Sequence, residues 1–568
     1  MKEKRNRKGK SMKKILLVAI NAKYIHSNLA VYSLKAAAGK YGDQIEIAEY
    51  TINQQPDQIL GDIYRRKPDV AAFSCYIWNG KLIGELMQEL PKILPHTEIW
   101  AGGPEVSYDA EKFLKKHPEI RGVMRAEGEG NFPKLASYYI EETGVLSEIE
   151  NLTYRDMDGN ICETPWAEPI SMDEMPFAYE NLHDFEHKII YYESSRGCPF
   201  RCSYCLSSID KRVRFRSLDL VKKELQVFLD ARVPQVKFVD RTFNCNPRRT
   251  VELLNWIQEH DNGVTNFHFE IAADITTEEE LAIMEQMRPG LIQLEIGVQS
   301  TNPKTVEAIH RTMDLTKLAE VVSRVKGFGN IHQHLDLIAG LPYENLESFQ
   351  KSFDDVYGMQ PDQLQLGFLK VLKGSGMKED ADGYEIRYHE HAPYEVLTTR
   401  WLNYGEVLTL KGVEEMVEVY YNSRQFDRTI AHIMEQYDSP YRFFLELAEY
   451  YDRKGLSGIG HSRIARYEIL RAFLEEKKLG GPDNDQCMVL DLYARENLKS
   501  RPAFAPDLSP YKEELKNLTR DYGRQVHVEV LEKASGPEYV MFDYRKRDPL
   551  TGEAWMEVLG RTGERHDG

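Results

Sequence analysis

The feature that most limits the fold is a recurring alternation of short apolar runs with amphipathic stretches, from residue 13 to about residue 369. Apolar runs separated by segments of helical period build parallel sheets, because a parallel pair needs a crossover and a helix supplies it. In residues 13–145 the expected strands are Lys14–Asn21, Ile45–Tyr50, Val70–Tyr76 and Glu98–Gly102, with another near Gly122–Ala126. Helices such as Leu82–Leu90 and Ala110–Lys116 lie between them. A basic tail, residues 1–12, precedes this region and is expected to be disordered rather than a signal peptide.

This first region predicts a doubly wound, Rossmann-like parallel sheet, a fold that takes ligands at the carboxyl ends of its strands. Residues 146–187 break the rhythm, with a hairpin over Asn151–Cys162 around Asp158-Gly159 and then an extended linker. From 188 to 380 the alternation returns for six units. Its strands are Ile189–Glu193, Gln235–Asp240, Asn266–Ala272, Leu291–Gly297, His332–Ile338 and Gln363–Leu369. Six units are too few to close an eight-stranded barrel, so a central partial (β/α)6 barrel is expected. Residues 381–568 read as a mainly helical C-terminal domain, with Glu395–Lys411 and Tyr441–Lys454 as long amphipathic stretches. Strands are expected there at His527–Leu531, Tyr539–Tyr544 and Ala554–Leu559. The class is α/β.

Charge and cysteine usage narrow the function. The 73 Lys and Arg against 90 Asp and Glu give a net charge of −17, which disfavours general nucleic-acid binding. No apolar run is long enough for a membrane span. Three of the seven cysteines crowd into residues 198–205, which is no disulfide framework. It points to a reducing, cytoplasmic setting and to a metal or redox site.

Those three are Cys198, Cys202 and Cys205 in Arg196-Gly197-Cys198-Pro199-Phe200-Arg201-Cys202-Ser203-Tyr204-Cys205, directly after the first barrel strand. Three thiolates on one loop can each hold one iron of a 4Fe–4S cluster and leave the fourth iron open. Zinc closed by Cys245 or a histidine is the alternative, but structural zinc usually takes two pairs of ligands and no second pair exists here.

The spacing, with Tyr204 just before the last cysteine, resembles the signature of the radical SAM superfamily. That resemblance implies that S-adenosylmethionine chelates the open iron and is cleaved by one electron to a 5′-deoxyadenosyl radical. It also implies an external electron donor of flavodoxin or ferredoxin type. Polar or glycine-rich features follow nearly every barrel strand, where βα barrels collect their functional groups. The S-adenosylmethionine contacts it suggests are Tyr204, Asp240, Asn244, Glu270, Gln299, Ser300, Leu341 and Pro342. Asp240 as a helix cap and Gly340-Leu341-Pro342 as a plain turn are the alternatives. The strand-two motif Asp240-Arg241-Thr242-Phe243-Asn244 departs from the usual Gly-Gly-Glu. No catalytic residue is assigned beyond the cluster ligands.

The first sheet carries no Gly-x-Gly-x-x-Gly after its first strand, so a nicotinamide cofactor is not expected. A doubly wound domain ahead of such a barrel resembles the cobalamin-binding domain of cobalamin-dependent radical SAM enzymes. The strand-end loops that carry the likeness supply the candidate cobalamin contacts Asn21, His26, Ser74, Tyr76, Trp78, Asn79, Gly102, Gly103, Pro104, Glu105, Glu127 and Gly128. The Asp-x-His-x-x-Gly motif that places a histidine on cobalt is incomplete. His26 keeps its place, while Tyr24 and Leu29 replace the aspartate and glycine. With no aspartate to orient the imidazole, the cobalt is expected to lack a histidine ligand. Its lower face is then covered by Tyr76, Trp78 or Asn79. Packing alone for these aromatics, and a sheet that binds nothing, are the alternatives.

Three functions follow. The first is a radical SAM enzyme using cobalamin to methylate an unactivated carbon of a small-molecule, lipid or peptide substrate. The second is cobalamin-dependent rearrangement or cyclisation. The third is a non-catalytic cobalamin- or metal-binding protein. A methylthiotransferase is disfavoured, since only Cys75 and Cys162 precede Cys198.

Overall fold

The computed structural model describes residues 13–210, 212–520, 525–533 and 536–559. The tail read as disordered, residues 1–12, lies outside the described residues. The chain falls into two compact units. One holds residues up to Ile283 with Ile309–Thr312 and Leu369–Leu397; the other holds Met284–Ala308, Met313–Phe368 and residues from Thr398 on.

The first unit contains a seven-stranded sheet of β1 (Ile15–Asn21), β2 (Ile45–Thr51), β3 (Val70–Ser74), β4 (Glu98–Gly102), β5 (Gly122–Met124), β6 (Leu152–Arg155) and β7 (Ile161–Glu163). Its order is β2-β1-β3-β4-β5-β6-β7. The pairs from β2 to β5 are parallel; β6 and β7 add antiparallel. The hairpin expected around Asp158-Gly159 therefore forms and extends the sheet as its edge. Strand β1 is buried along its whole length because helices cover both faces. Leu16, Val18 and Ile20 join one core with Ile83, Leu86, Met87 and Leu90 of the helix Gly80–Ile93. Ile15, Leu17 and Ala19 join the other with Phe132, Leu135 and Tyr139 of the helix Phe132–Ile140. The strand order reverses between β1 and β3, which leaves a crevice at their carboxyl ends.

The same unit holds β8 (Ile190–Tyr192), a ribbon of β9 (Ser195–Arg196) and β10 (Arg214–Phe215), then β11 (Gln235–Phe238) and β12 (Asn266–Ile271). Strands β8, β11 and β12 are parallel, with Lys237 opposite both Tyr191 and His268.

In the second unit β13 (Ile292–Gln299), β14 (His332–Ala339) and β15 (Gln363–Phe368) are parallel, with Glu295 opposite His334 and His334 opposite Gln363. The six barrel strands expected from the sequence all form, three in each unit, and no closed barrel is found among the described residues. After β16 (Arg387–Tyr388) and β17 (Val396–Thr398), helices run to Thr519, followed by an antiparallel sheet of β18 (Val526–Lys533), β19 (Gly536–Arg547) and β20 (Ala554–Leu559).

One expectation fails locally. Glu395–Lys411 reads as one long amphipathic stretch of a mainly helical domain, yet the structure has β17 and begins the helix only at Tyr404. The Asn403 side chain accepts the Glu406 N–H at 3.1 Å while Glu406 accepts the Asn403 N–H at 2.8 Å. This reciprocal cap fixes the helix start, and the β-branched Thr398-Thr399 before it favours extended backbone.

Candidate cofactor site

The cysteine loop is built into the first unit with little slack. Gly197 sits at φ +99, and a Cβ there would lie 2.3 Å from the Arg212 carbonyl oxygen, so only glycine fits between β9 and the loop. Cys198 Sγ is 3.6 Å from Thr242 Oγ1, at the end of the β11 loop. The Cys205 N–H reaches the Cys202 carbonyl at 3.1 Å, and Ser208 Oγ donates to the carbonyls of Cys202 and Cys205 at 3.0 and 2.7 Å. Ser203 is held on both sides, its N–H on the Ile309 carbonyl at 2.9 Å and its carbonyl by the Met377 N–H at 2.7 Å. Cys202 is buried, and Cys198 and Cys205 are half-buried. Burial pushes the Cys202 thiol up, and the Arg311 guanidinium 3.7 Å away works against that. Arg311 also donates to the Tyr204 hydroxyl at 3.4 Å.

The residues expected to meet S-adenosylmethionine divide between the two units. In the first unit, Asp240 is fully buried and accepts the Ser194 N–H, Ser194 Oγ and Ser195 Oγ, each at 2.7 Å. Burial pushes its carboxyl up and those three donors oppose the rise. Its observed work is to join the end of β11 to the turn after β8. Asn244 is engaged in the same way. Its amide donates to the Ala272 carbonyl at 2.9 Å and to Thr276 Oγ1 at 3.2 Å, and accepts the Ala272 N–H at 3.0 Å. Tyr204 is half-buried, as is Glu270 near the end of β12.

In the second unit, Gln299 takes a left-handed φ of 73 at a register shift in β13, and its side-chain oxygen is buried with no hydrogen-bond partner among the described residues. Ser300 Oγ donates to Glu344 at 2.7 Å. Leu341 is fully buried, with Pro342 beside it. Also in this unit, Glu295, His334 and Asp336 bring ligand atoms within 4.8 Å of one another on the β13–β14 pair, a grouping the sequence analysis did not single out.

The loops after β1, β3, β4 and β5 open onto one cleft of ≈ 1210 Å³ in the first unit. Asn21, His26, Ser74, Tyr76, Trp78, Gly102, Gly103, Pro104, Glu127 and Gly128 line it. Tyr76 and Trp78 stack with ring centroids 4.3 Å apart and planes 10° from parallel. Two of the expected contacts are not in its wall. Asn79 is buried and clasps the loop, donating to the carbonyls of Ile20 and Ser74, both at 3.0 Å. Glu105 is buried under Lys373 at 3.0 Å and the Tyr394 hydroxyl. His26 Nδ1 lies 2.7 Å from the Tyr191 hydroxyl, and burial lowers its pKa, helped by Lys23 and Lys237.

The cleft and loop fit the groups that the fold implies. Asn28 Oδ1 lines the cleft, buried and with no hydrogen-bond partner among the described residues. A Cβ on Gly103 would lie 2.5 Å from the Cys75 carbonyl oxygen, so the β4 loop keeps a bare backbone at the cleft. Ser203 Oγ, inside the cysteine loop, is likewise buried without a partner. The cleft is also lined by Arg196, Gly197, Leu206 and Ser207 from the cysteine-loop region.

Comparison with known families decides the identity of the two regions. Residues 15–136 match the B12 binding domain, and residues 192–356 match the radical SAM superfamily. The chain carries a B12-binding domain followed by a radical SAM domain. Residues 382–543 of this radical SAM protein match a family described as a protein of unknown function, DUF4080. It is 25% identical over 316 residues to an uncharacterised methyltransferase of Pyrococcus horikoshii, covering 54% of this chain and 66% of that one. It is 24% identical over 349 residues to the cobalamin-dependent radical SAM methyltransferase TokK of Streptomyces tokunonensis, covering 58% and 48%. The radical SAM chain thus spans about half to two thirds of the length of these relatives. Its fold is similar to that of the cobalamin-dependent S-adenosylmethionine radical enzyme OxsB, with TM-score 0.57 and 15% identity over 84% of this chain and 78% of that one. It is also similar to the methyltransferase TsrM of Kitasatospora setae, with TM-score 0.54 and 16% identity over 67% and 80%.

Sequence reasoning missed Arg311 and the ion pairs of Arg196 with Glu127 and Glu129, at 3.0 and 2.9 Å. Both join residues far apart in the chain. The one available signal was charge: an arginine two residues before Cys198 and an acidic Glu127-Gly128-Glu129 turn in the preceding domain.

Proposed function

We propose that this chain is an enzyme that cleaves S-adenosylmethionine reductively at a 4Fe–4S cluster and uses cobalamin to methylate an unactivated carbon. The observation that carries the reading is the shared wall of the cleft. Cysteine-loop neighbours Arg196, Gly197, Leu206 and Ser207 line the same space as Tyr76, Trp78 and Gly103 of the B12-binding domain.

When bound, the cluster with S-adenosylmethionine supplies a one-electron route to a carbon-centred radical, and cobalamin supplies the methyl group. The chain's own residues do the holding. Cys198, Cys202 and Cys205 hold the cluster, and Arg311 sets a positive charge beside Cys202. The Gln299 side-chain oxygen and the Tyr204 region are the candidate contacts for S-adenosylmethionine. The stacked Tyr76 and Trp78 would pack against the bound cobalamin and keep water from it. His26 is engaged with the Tyr191 hydroxyl, which would compete with any role for it as a ligand. The substrate is a small molecule, lipid or peptide, and a flavodoxin or ferredoxin supplies the electron. The free state of all seven cysteines suits a reducing cytoplasm. No helix among the described residues is long and apolar enough to cross a membrane.

The test is anaerobic turnover of the reconstituted protein in a cell extract, with S-adenosylmethionine carrying a deuterated methyl group. Methyl transfer is expected to give 5′-deoxyadenosine together with a product bearing the deuterated methyl. Deoxyadenosine without labelled product would favour rearrangement or cyclisation. Neither product would leave a binding protein.

A further inference from the structure

We propose that Arg196 is a positioning residue that ties the cysteine loop to the cofactor-binding loop after β5, so that filling the cleft and building the cluster are thermodynamically linked. This rests on the functional reading above, in which the cleft takes cobalamin and the loop takes the cluster.

Arg196 lies two residues before Cys198, and its guanidinium meets three carboxylates. Glu193 is at 2.6 Å, Glu129 at 2.9 Å and Glu127 at 3.0 Å. Its cross-strand partner in the β9–β10 ribbon, Arg214, turns onto Glu127 as well, one bond at 3.2 Å. Two arginines of one ribbon thus clamp two glutamates of one loop. The clamp is largely out of water, with Arg196 21% and Glu129 10% exposed. Burial alone would push the Glu129 carboxyl up, yet Arg196 holds it below its usual range.

Neither end of the clamp has room to yield. In the loop after β5, Ala126 is left-handed at φ 53, and a Cβ on Gly128 would lie 2.6 Å from Leu34 Cδ2. At the other end Gly197 is wedged against the Arg212 carbonyl. Glu127, Gly128, Glu129, Arg196 and Gly197 all line the cleft. A ligand that shifts the acidic turn therefore drags Arg196, and through it the backbone entering Cys198. Removing Arg196 leaves three carboxylates facing one guanidinium, and their repulsion uncouples the loops. Linkage is reciprocal, so a cluster that fixes the cysteine loop raises cobalamin affinity by the same factor.

The test measures the dissociation constant of hydroxocobalamin for the full-length protein, by absorbance, before and after anaerobic cluster reconstitution. In wild type the ratio of the two constants is expected to be about fivefold or more. In Arg196→Gln it is expected to fall to about one, with iron and sulfide content retained, and Arg196→Lys restores part of it. Glu129→Gln serves as the second variant should Arg196→Gln fail to fold, and is expected to lower the ratio as well. A purely structural role would weaken both constants equally and leave the ratio unchanged. That result, or a ratio of one in wild type, overturns the proposal while sparing the functional reading. Absence of cobalamin binding in either state overturns both.

Discussion

In the first unit, the loops after β1, β3, β4 and β5 leave polar groups around a cleft of ≈ 1210 Å³, and a buried acceptor such as Asn28 Oδ1 has no partner among the described residues. In the chain from Thr398 on, charged groups are clamped by one another, although Gln425 Oε1, the Tyr441 hydroxyl and Asn484 Oδ1 are buried with no partner among the described residues. Asp491 is buried and accepts the Thr429 N–H, Thr429 Oγ1 and Arg428, and Arg428 reaches on to Glu553 at 2.8 Å. Glu529 is buried under Arg501 and His527, and the hydroxyls of Tyr420 and Tyr451 meet at 2.6 Å. Buried polar groups satisfied by the protein serve packing, whereas those left facing a cavity await a ligand. Tyr420, Tyr451 and Tyr467 of the C-terminal region are core residues with tethered hydroxyls, whereas the buried Tyr441 hydroxyl has no partner among the described residues.

The sharpest break between the regions is expected at Cys202. Cys202→Ala removes one of three ligands, and iron analysis should show loss of the cluster and no 5′-deoxyadenosine, while urea unfolding of the protein barely changes. The mirror experiment is Asp491→Ala, which strips Arg428 of a buried partner. It should cost about 3–5 kcal/mol in urea unfolding and leave cobalamin affinity in the first unit unchanged.

A gentler test lies at Glu344, buried in the second unit and bonded by Ser300 and Ser352 at 2.7 and 2.9 Å. Burial raises its pKa to about 7 against the hydrogen bonds that oppose the rise. A carboxyl raised in the folded state adds stability below its unfolded pKa, and that stability is lost as pH rises through the folded value. Wild type should lose on the order of 2 kcal/mol between pH 5 and 8, read by thermal unfolding, and Glu344→Gln should flatten that slope. The smallest effects belong to the cleft walls. Trp78→Ala loses the stack on Tyr76 and should weaken cobalamin binding about tenfold. His26→Ala should shift it by under about 0.5 kcal/mol.

Legibility followed distance along the chain. The cysteine triplet and the strand-end loops were readable because their residues are neighbours in sequence, and ten of the twelve expected cobalamin contacts line the cleft. Asn79 and Glu105 stand behind the wall because their partners, Ile20 for one and Lys373 with Tyr394 for the other, come from distant segments. Asp240 and Asn244 were marked by position after a strand, but position does not show that three serine donors, or Ala272 and Thr276, already occupy them. The amphipathic stretch expected over Glu395–Lys411 hid a capping box at Asn403 and Glu406, which was in principle readable. Arg196 and Arg311 needed the fold, since charge alone does not say which carboxylate or thiol an arginine meets.

The central claim is that the cysteine loop and the B12-binding cleft form one cofactor site. Low-temperature EPR of the anaerobically reconstituted protein with cobalamin tests it most directly. The account expects a reduced 4Fe–4S signal that shifts on adding S-adenosylmethionine, and a protein-bound Co(II) signal without nitrogen splitting from an imidazole. A cluster signal indifferent to S-adenosylmethionine, or cobalt that stays free in solution, would contradict it.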